Sequence, residues 1–255
     1  MCLILFAYQQ NTDFKLILAA NRDEYFTRET ATLAFWDDAP HVLAGRDLEK
    51  GGTWLGVDRS GRFAAVTNYR NANREKRNRV SRGLLVSDYL QGTDSPWAFL
   101  EALQKNTDRY NGFNLLVGDE YSLFYFSNRE KKITQLRPGV YGLSNRLLDT
   151  PWPKVERGKR LLQTALEHNP LPTDRLLEML SDRHIPTDDK LPDTGVGKDW
   201  ERLLSPIFIA SEHYGTRCSS VLLITNDNSI TITERTYWVS QGHSTTSCIH
   251  VPKLT

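Results

Sequence analysis

The sequence is poor in the features that usually disclose a chemistry. It holds three cysteines in 255 residues, Cys2, Cys218 and Cys248, too few and too scattered for a disulfide framework, and no pair has metal-ligand spacing. A reducing compartment fits that usage, and the cytoplasm is the expected location. The six histidines, His41, His168, His184, His213, His243 and His250, show no HExxH-like or paired spacing, so a metal site has little support. There is no GxGxxG or phosphate loop, and Ser60-Gly61 is a turn rather than a nucleophile elbow. Lack of CxxCH sets aside covalent haem attachment, whereas non-covalent haem needs only one axial His or Cys. Net charge is missing too: 32 basic against 31 acidic groups leave +1, so nucleic acid is not an expected partner. The N-terminal apolar run has no basic leader and is broken by Gln9, Gln10, Asn11 and Asp13, which makes it too short for a signal peptide or a membrane span. No repeat, low-complexity tract or linker divides the chain, and one domain over residues 1–255 is the simplest count. No pattern specifies an oligomeric state.

What is present is 39% hydrophobic and 25% charged residues, enough for a well-buried core. Leu3 to Tyr8 and Phe14 to Ala20 are apolar runs around a polar turn centred near Asn11, which predicts an antiparallel hairpin buried on both faces. Folding that hairpin sets Cys2 beside Asn21-Arg22-Asp23-Glu24. Thr27 to Lys50 reads as a long irregular excursion. Thr53 to Asp58 and Arg62 to Thr67 predict a second hairpin, ending at Asn68-Tyr69-Arg70. From Arg70 to Arg82 six cations meet one acid, Glu75; such a run is either a solvated loop or a collector of ligand phosphates and carboxylates. Ser81 and Ser95-Pro96 are expected to start two helices. Strands follow at Phe113 to Val117, Leu123 to Phe126, Ile133 to Leu136 and Val140 to Leu143. Two more helices run through Val155 to Leu166 and Leu176 to Leu180, then a loop from Thr187 to Gly197, then a hairpin from Ser219 to Tyr237. Strands and helices arrive in blocks and do not strictly alternate, which argues against a doubly wound parallel sheet. The order suits an α+β fold of two antiparallel sheets packed on each other with helices outside.

Cys2 is the natural centre of any chemistry. With Met1 excised, it would carry a thiol and a free α-amine, nucleophile and base on one residue. An ordinary thiol is a few per cent thiolate at neutral pH, so the Arg22 cation across the hairpin matters, and Asp23 is placed to hold the amine or the arginine. Asn68 and Asn145, each at a strand end, have the chemistry of oxyanion donors. The same residues also suit blander roles: Asn in turns, Arg22-Asp23 as a structural ion pair, Arg217 paired with an acid.

Met1-Cys2, Ala20-Asn21-Arg22-Asp23-Glu24, Gly51-Gly52-Thr53-Trp54-Leu55-Gly56, Thr67-Asn68-Tyr69-Arg70, Leu143-Ser144-Asn145 and Tyr214-Gly215-Thr216-Arg217 together resemble the NRDE family, also called the transport and Golgi organisation protein 2 family, in order from residue 1 to about Tyr237. The resemblance implies an N-terminal-nucleophile-hydrolase-like fold of four αββα layers with Cys2 in the nucleophile position. A more distant likeness, to the choloylglycine and penicillin V acylases, implies Cys2 as nucleophile, Asp23 near the amine, and Asn68 and Asn145 as oxyanion or positioning groups. Those acylases have an arginine three residues before the aspartate, where this chain has Ala20, and this chain has Arg22 immediately before it. For the NRDE family the implied role is intracellular haem mobilisation, with lipid or acyl-coenzyme A handling as a further proposal. On that reading haem is a cargo, and the basic run would suit its propionates. Trp36, Trp54 and Tyr69 could stack on a flat ligand, with Asn21, Glu24 and Arg70 beside them. The rival readings are a cysteine amidohydrolase, which needs no cofactor, acting on a small acyl amide through Cys2, Arg22, Asp23, Asn68, Asn145 and Arg217, and a scaffold that kept the fold without the chemistry.

Overall fold

The computed structural model describes residues 2–76, 78–238 and 242–252. The first hairpin pairs β1 (Cys2–Tyr8) with β2 (Phe14–Tyr25). β2 runs longer than its apolar core, so Asn21 to Glu24 are strand residues in register with the start of β1. Side chains alternate across a strand. Ile4, Phe6 and Tyr8 therefore face one way, and Leu3, Leu5 and Ala7 the other, into two separate cores.

Thr27 to Lys50 is not irregular. It holds a hairpin of β3 (Thr30–Phe35) and β4 (Val42–Asp47). β3 is an edge strand with only Leu33 fully buried and a register shift between Ala31 and Ala34, which removes the alternation that would have marked it. β5 (Leu55–Asp58), β6 (Phe63–Asn68), β7 (Phe113–Gly118), β8 (Leu123–Ser127) and β9 (Lys132–Gln135) continue that sheet in simple succession. β10 (Gly139–Leu143), β11 (Tyr214–Thr225), β12 (Ile230–Trp238) and β13 (His243–Val251) join the first hairpin in the order β10-β1-β2-β11-β12-β13. All pairings are antiparallel. β13 extends the expected terminal hairpin by one strand. It is a largely exposed polar edge, a composition that discourages further strand pairing, and its apolar signal is confined to Ile249 and Val251, which reach the core.

Between the sheets lies a core that includes Ile4, Phe6, Leu18, Leu43, Val57, Leu116 and Leu222. α1 (Gly83–Gln91) and α2 (Pro96–Gln104) cover the outer face of the seven-stranded sheet. α3 (Pro153–Leu166) and α4 (Thr173–Met179) cover the other. The result is the four-layer αββα sandwich, each helix and sheet burying its apolar side against a neighbour. Ser95 caps α2 through Ala98 N at 3.3 Å. Ser81 does not cap α1: its N-cap is Arg82, without a side-chain bond. A short α5 (Lys198–Leu203) was not legible as a helix. The loop before it is tied down, because the Thr194 N–H and hydroxyl donate to Glu201 Oε1 at 2.8 and 2.6 Å.

Candidate functional site

Period-two alternation along β1 places Cys2 on the face of Ile4 and Phe6, towards the gap between the sheets. Cys2 is paired with Arg22 on β2, and Arg22 with Cys218 on β11. One arginine thus lies between two thiols on one face. Here the apolar filling between the sheets stops, and a cavity of about 140 Å³ opens. It is lined by Cys2, Arg22, Asp23, Glu24, Trp54, Asn68 and Arg217 from the predicted set, with Arg28, Arg46, Arg82, Cys218 and Glu234 among the others.

Asn21, Tyr69, Arg70 and Asn145 are placed outside this lining. Asn21 has the opposite parity to Arg22 and points to the helical layer, where its amide donates to the Leu180 and Ile207 carbonyls at 2.8 and 2.9 Å and accepts from Ser219 at 2.6 Å. Arg70 is buried in an ion pair with Glu201, 2.8 Å away, and its guanidinium lies over Trp152. Tyr69 is covered by Arg146 and Arg129. The Asn145 amide is spent on the Asn68 carbonyl, 3.0 Å away, which leaves it to position Asn68. The Asn68 side chain makes no hydrogen bond among the described residues and faces the cavity. The Arg217 Nη1 donates to three carbonyls, Tyr25, Phe26 and Arg28, at 2.9, 3.0 and 3.1 Å; it stands at a register shift in β11 and holds the turn that follows β2.

The remaining cations at the cavity are mostly matched. Arg28 bonds Asp47, Arg46 makes a forked pair with Asp38, and Arg82 donates to the Gly112 carbonyl and faces Glu75. Arg22 differs. Its nearest carboxylate, Glu24, is 4.0 Å away, and it makes no hydrogen bond among the described residues, so five guanidinium donors stay available. Burial pushes the Cys2 thiol up, the Asp23 charge adds to this, and the Arg22 cation opposes it. Burial also raises the Asp23 carboxyl, against the Lys154 cation and a 2.8 Å hydrogen bond from Thr216. Lys154 at the start of α3 is 4% exposed, donates to the Leu204 carbonyl at 2.9 Å, and is pushed down to about 8 by burial. Glu234 joins the two sheets at the cavity, accepting the β3 Leu33 N–H at 3.0 Å.

The family model for Transport and Golgi organisation 2 matches residues 1–239. The chain belongs to this family. It is 37% identical over 256 aligned positions to the Transport and Golgi organization protein 2 homolog of Bos taurus, covering 92% of each chain, and 35% identical to that of Homo sapiens with the same coverage. Among solved structures it is similar to the C2A mutant of conjugated bile acid hydrolase from Clostridium perfringens, with TM-score 0.55, 10% identity, 98% of this chain and 92% of that chain. At that identity the likeness speaks to the fold, an N-terminal-nucleophile-hydrolase sandwich. No helix among the described residues is long and apolar enough to cross a membrane, and no cluster of three or more His, Cys, Asp or Glu residues among them is arranged to hold a metal.

Besides Arg28 and Arg46, four cavity or near-cavity residues outside the predicted set are instructive. Cys218 had a signal, the alternation Cys218, Ser220, Leu222, Ile224 that puts it on the face of Cys2 once β11 pairs with β2. Arg82 was one of six cations in a run. Glu234 and Lys154 had none: each looks like an ordinary charged residue of a strand or a helix first turn, and only tertiary packing buries it.

Proposed function

We propose that this protein binds and transfers an amphipathic acid, taking the acid group at Arg22 and leaving the apolar body at the cavity mouth. The observation that carries the reading is the Arg22 guanidinium, buried between two thiols with its hydrogen-bonding capacity unspent. Cavity size adds to it: about 140 Å³ is smaller than the roughly 300–1,000 Å³ of sites that enclose a small molecule, and suits a head group. Haem, through a propionate, is the specific cargo proposed, with fatty acids and other lipid acids as the alternative. Titration of the full chain with haemin, followed at the Soret band, is expected to saturate, and Arg22→Leu to weaken binding about ten- to hundredfold, the loss of a charge-assisted pair. Absence of saturation with both haemin and a long-chain fatty acid would overturn the reading.

A second reading is a cysteine amidohydrolase. It is favoured by Asn68, whose free amide faces the cavity that also holds Cys2 and Asp23. Against it stands a thiol that burial keeps protonated. Met1, on which an N-terminal base depends, lies outside the described residues. Two measurements test it together: intact mass of the protein from its own cell, for loss of Met1, and hydrolysis of acyl amides by wild type against Cys2→Ala. Full retention of Met1, or activity that survives in the alanine variant, sinks this mechanism.

A further inference from the structure

The basic run does not act as one unit. Arg70 is buried with Glu201, Arg82 lines the Cys2 cavity, and Arg74, Lys76 and Arg79 turn to a separate cleft of about 570 Å³, where Arg129 and Lys131 meet them. The two lining sets share no residue. Three groups remote from one another in sequence, Arg74 with Lys76 and Arg79, Thr107 to Asn111, and Asn128 to Lys131, form the cleft walls. Amide side chains brace them. Asn111 accepts the Lys76 N–H at 2.9 Å and donates to the Lys76 carbonyl at 2.8 Å, while Asn128 accepts the Phe113 N–H and donates to the Asn111 carbonyl, at 3.0 and 3.1 Å.

Of the five cations in the cleft, none has a carboxylate within ion-pair distance among the described residues, and Asp108 is the lone acid in the lining. In a chain with 31 acidic groups and net charge +1, five cations against one acid make the cleft a local concentration of positive charge. The Arg129 Nε is buried without a hydrogen-bond partner among the described residues, and its guanidinium is held over the Tyr69 ring. Five like charges gathered on braced walls repel one another within a Debye length, about 10 Å at 0.1 M salt. A multiply charged anion relieves that repulsion, and arginine and lysine together are the side chains that take phosphate.

We infer that this cleft is a binding site for an oligophosphate group, separate from the Cys2 cavity, and that its ligand is a soluble di- or triphosphate compound. The test is calorimetric titration of the full chain with inorganic tripolyphosphate, at low and at physiological salt. Saturable one-to-one binding that weakens with salt is expected. Arg79→Gln combined with Lys131→Gln should weaken it about ten- to hundredfold, with an unchanged melting temperature, whereas Arg22→Leu should leave it unaltered. That last control keeps the cleft distinct from the fate of the acid-carrier reading. A parallel arm uses vesicles of phosphatidylcholine with and without a phosphoinositide bisphosphate; vesicle binding without tripolyphosphate binding would overturn the soluble source. Preference for a single-stranded oligonucleotide over tripolyphosphate, or binding indifferent to the double variant, would overturn the site.

Discussion

At the scale of single residues, the cavity is organised by what burial does to charge. The Cys2 thiol sits above its ordinary range of about 9.0 because water is excluded from it, so it is a neutral group facing a cation. Alkylation by iodoacetamide, resolved by peptide mass for each cysteine, is expected to give Cys2 a midpoint above that value, and Arg22→Leu to raise it further, because the lost cation opposed the shift. A midpoint below neutrality would mark an activated nucleophile and restore the hydrolase. Lys154 permits a signed test of stability. Its native value of about 8 lies below the ordinary 10.5, so between those limits the unfolded chain holds more protons than the native one, and stability rises with pH. The cost of burying the charge is fully present below pH 8. Over the window the gain is roughly 3 kcal/mol, at 1.36 kcal/mol per unit. Urea unfolding of wild type against Lys154→Met from pH 7 to 10 isolates it from other groups: the variant should lose that slope, and parallel curves would show a lysine open to water.

Elements explain which parts of this site were readable in advance. Hairpin topology needs only two apolar runs and a turn between them, and it correctly put Cys2 opposite Arg22. Parity within the strand separates Asn21, bound to the helical layer, from Arg22 in the cavity. The β3–β4 hairpin was unreadable because edge strands need not alternate, and the burial of Glu234 and Lys154 is a property of packing between layers. Gly51-Gly52 illustrates a motif whose reason is steric. Gly51 has φ +77°, a conformation that favours glycine. At Gly52 a Cβ would come within 2.5 Å of the Gly83 carbonyl carbon at the start of α1, where Thr53 N also bonds Gly83 O at 3.1 Å. Gly52→Ala must therefore push α1 from the sheet, at roughly 1–3 kcal/mol by analogy with overpacking, read from the midpoint of urea unfolding. A smaller loss would mean that the helix start can shift freely.

For the whole molecule, the sandwich puts its two sheets to different uses at the cavity. One supplies Cys2, Arg22, Cys218 and Glu234; the other supplies Trp54, Asn68 and the Arg46 side. Links that cross between them converge on this end, among them Glu234 to Leu33, Thr67 to the Ser144 carbonyl at 2.6 Å, and Asn145 to Asn68. A ligand bridging the sheets there adds to the same set of ties and binds only the folded chain. Linkage then sets the size of the effect: at a hundred times its dissociation constant a ligand adds about 2.7 kcal/mol to stability, which for a chain of this length raises the melting temperature by about 5–10 °C. Haemin and a long-chain fatty acid, compared at matched saturation, should both produce that rise in wild type. At the same ligand concentrations Arg22→Leu, with binding weakened about ten- to hundredfold, should cut the gain to about 0.4–1.4 kcal/mol for both, as expected if the shared acid group is the part recognised. A rise with haemin that is undiminished in Arg22→Leu would mean that the tetrapyrrole is gripped by its ring, on the aromatic side of the mouth near Trp54, and that the acid group is not what is recognised.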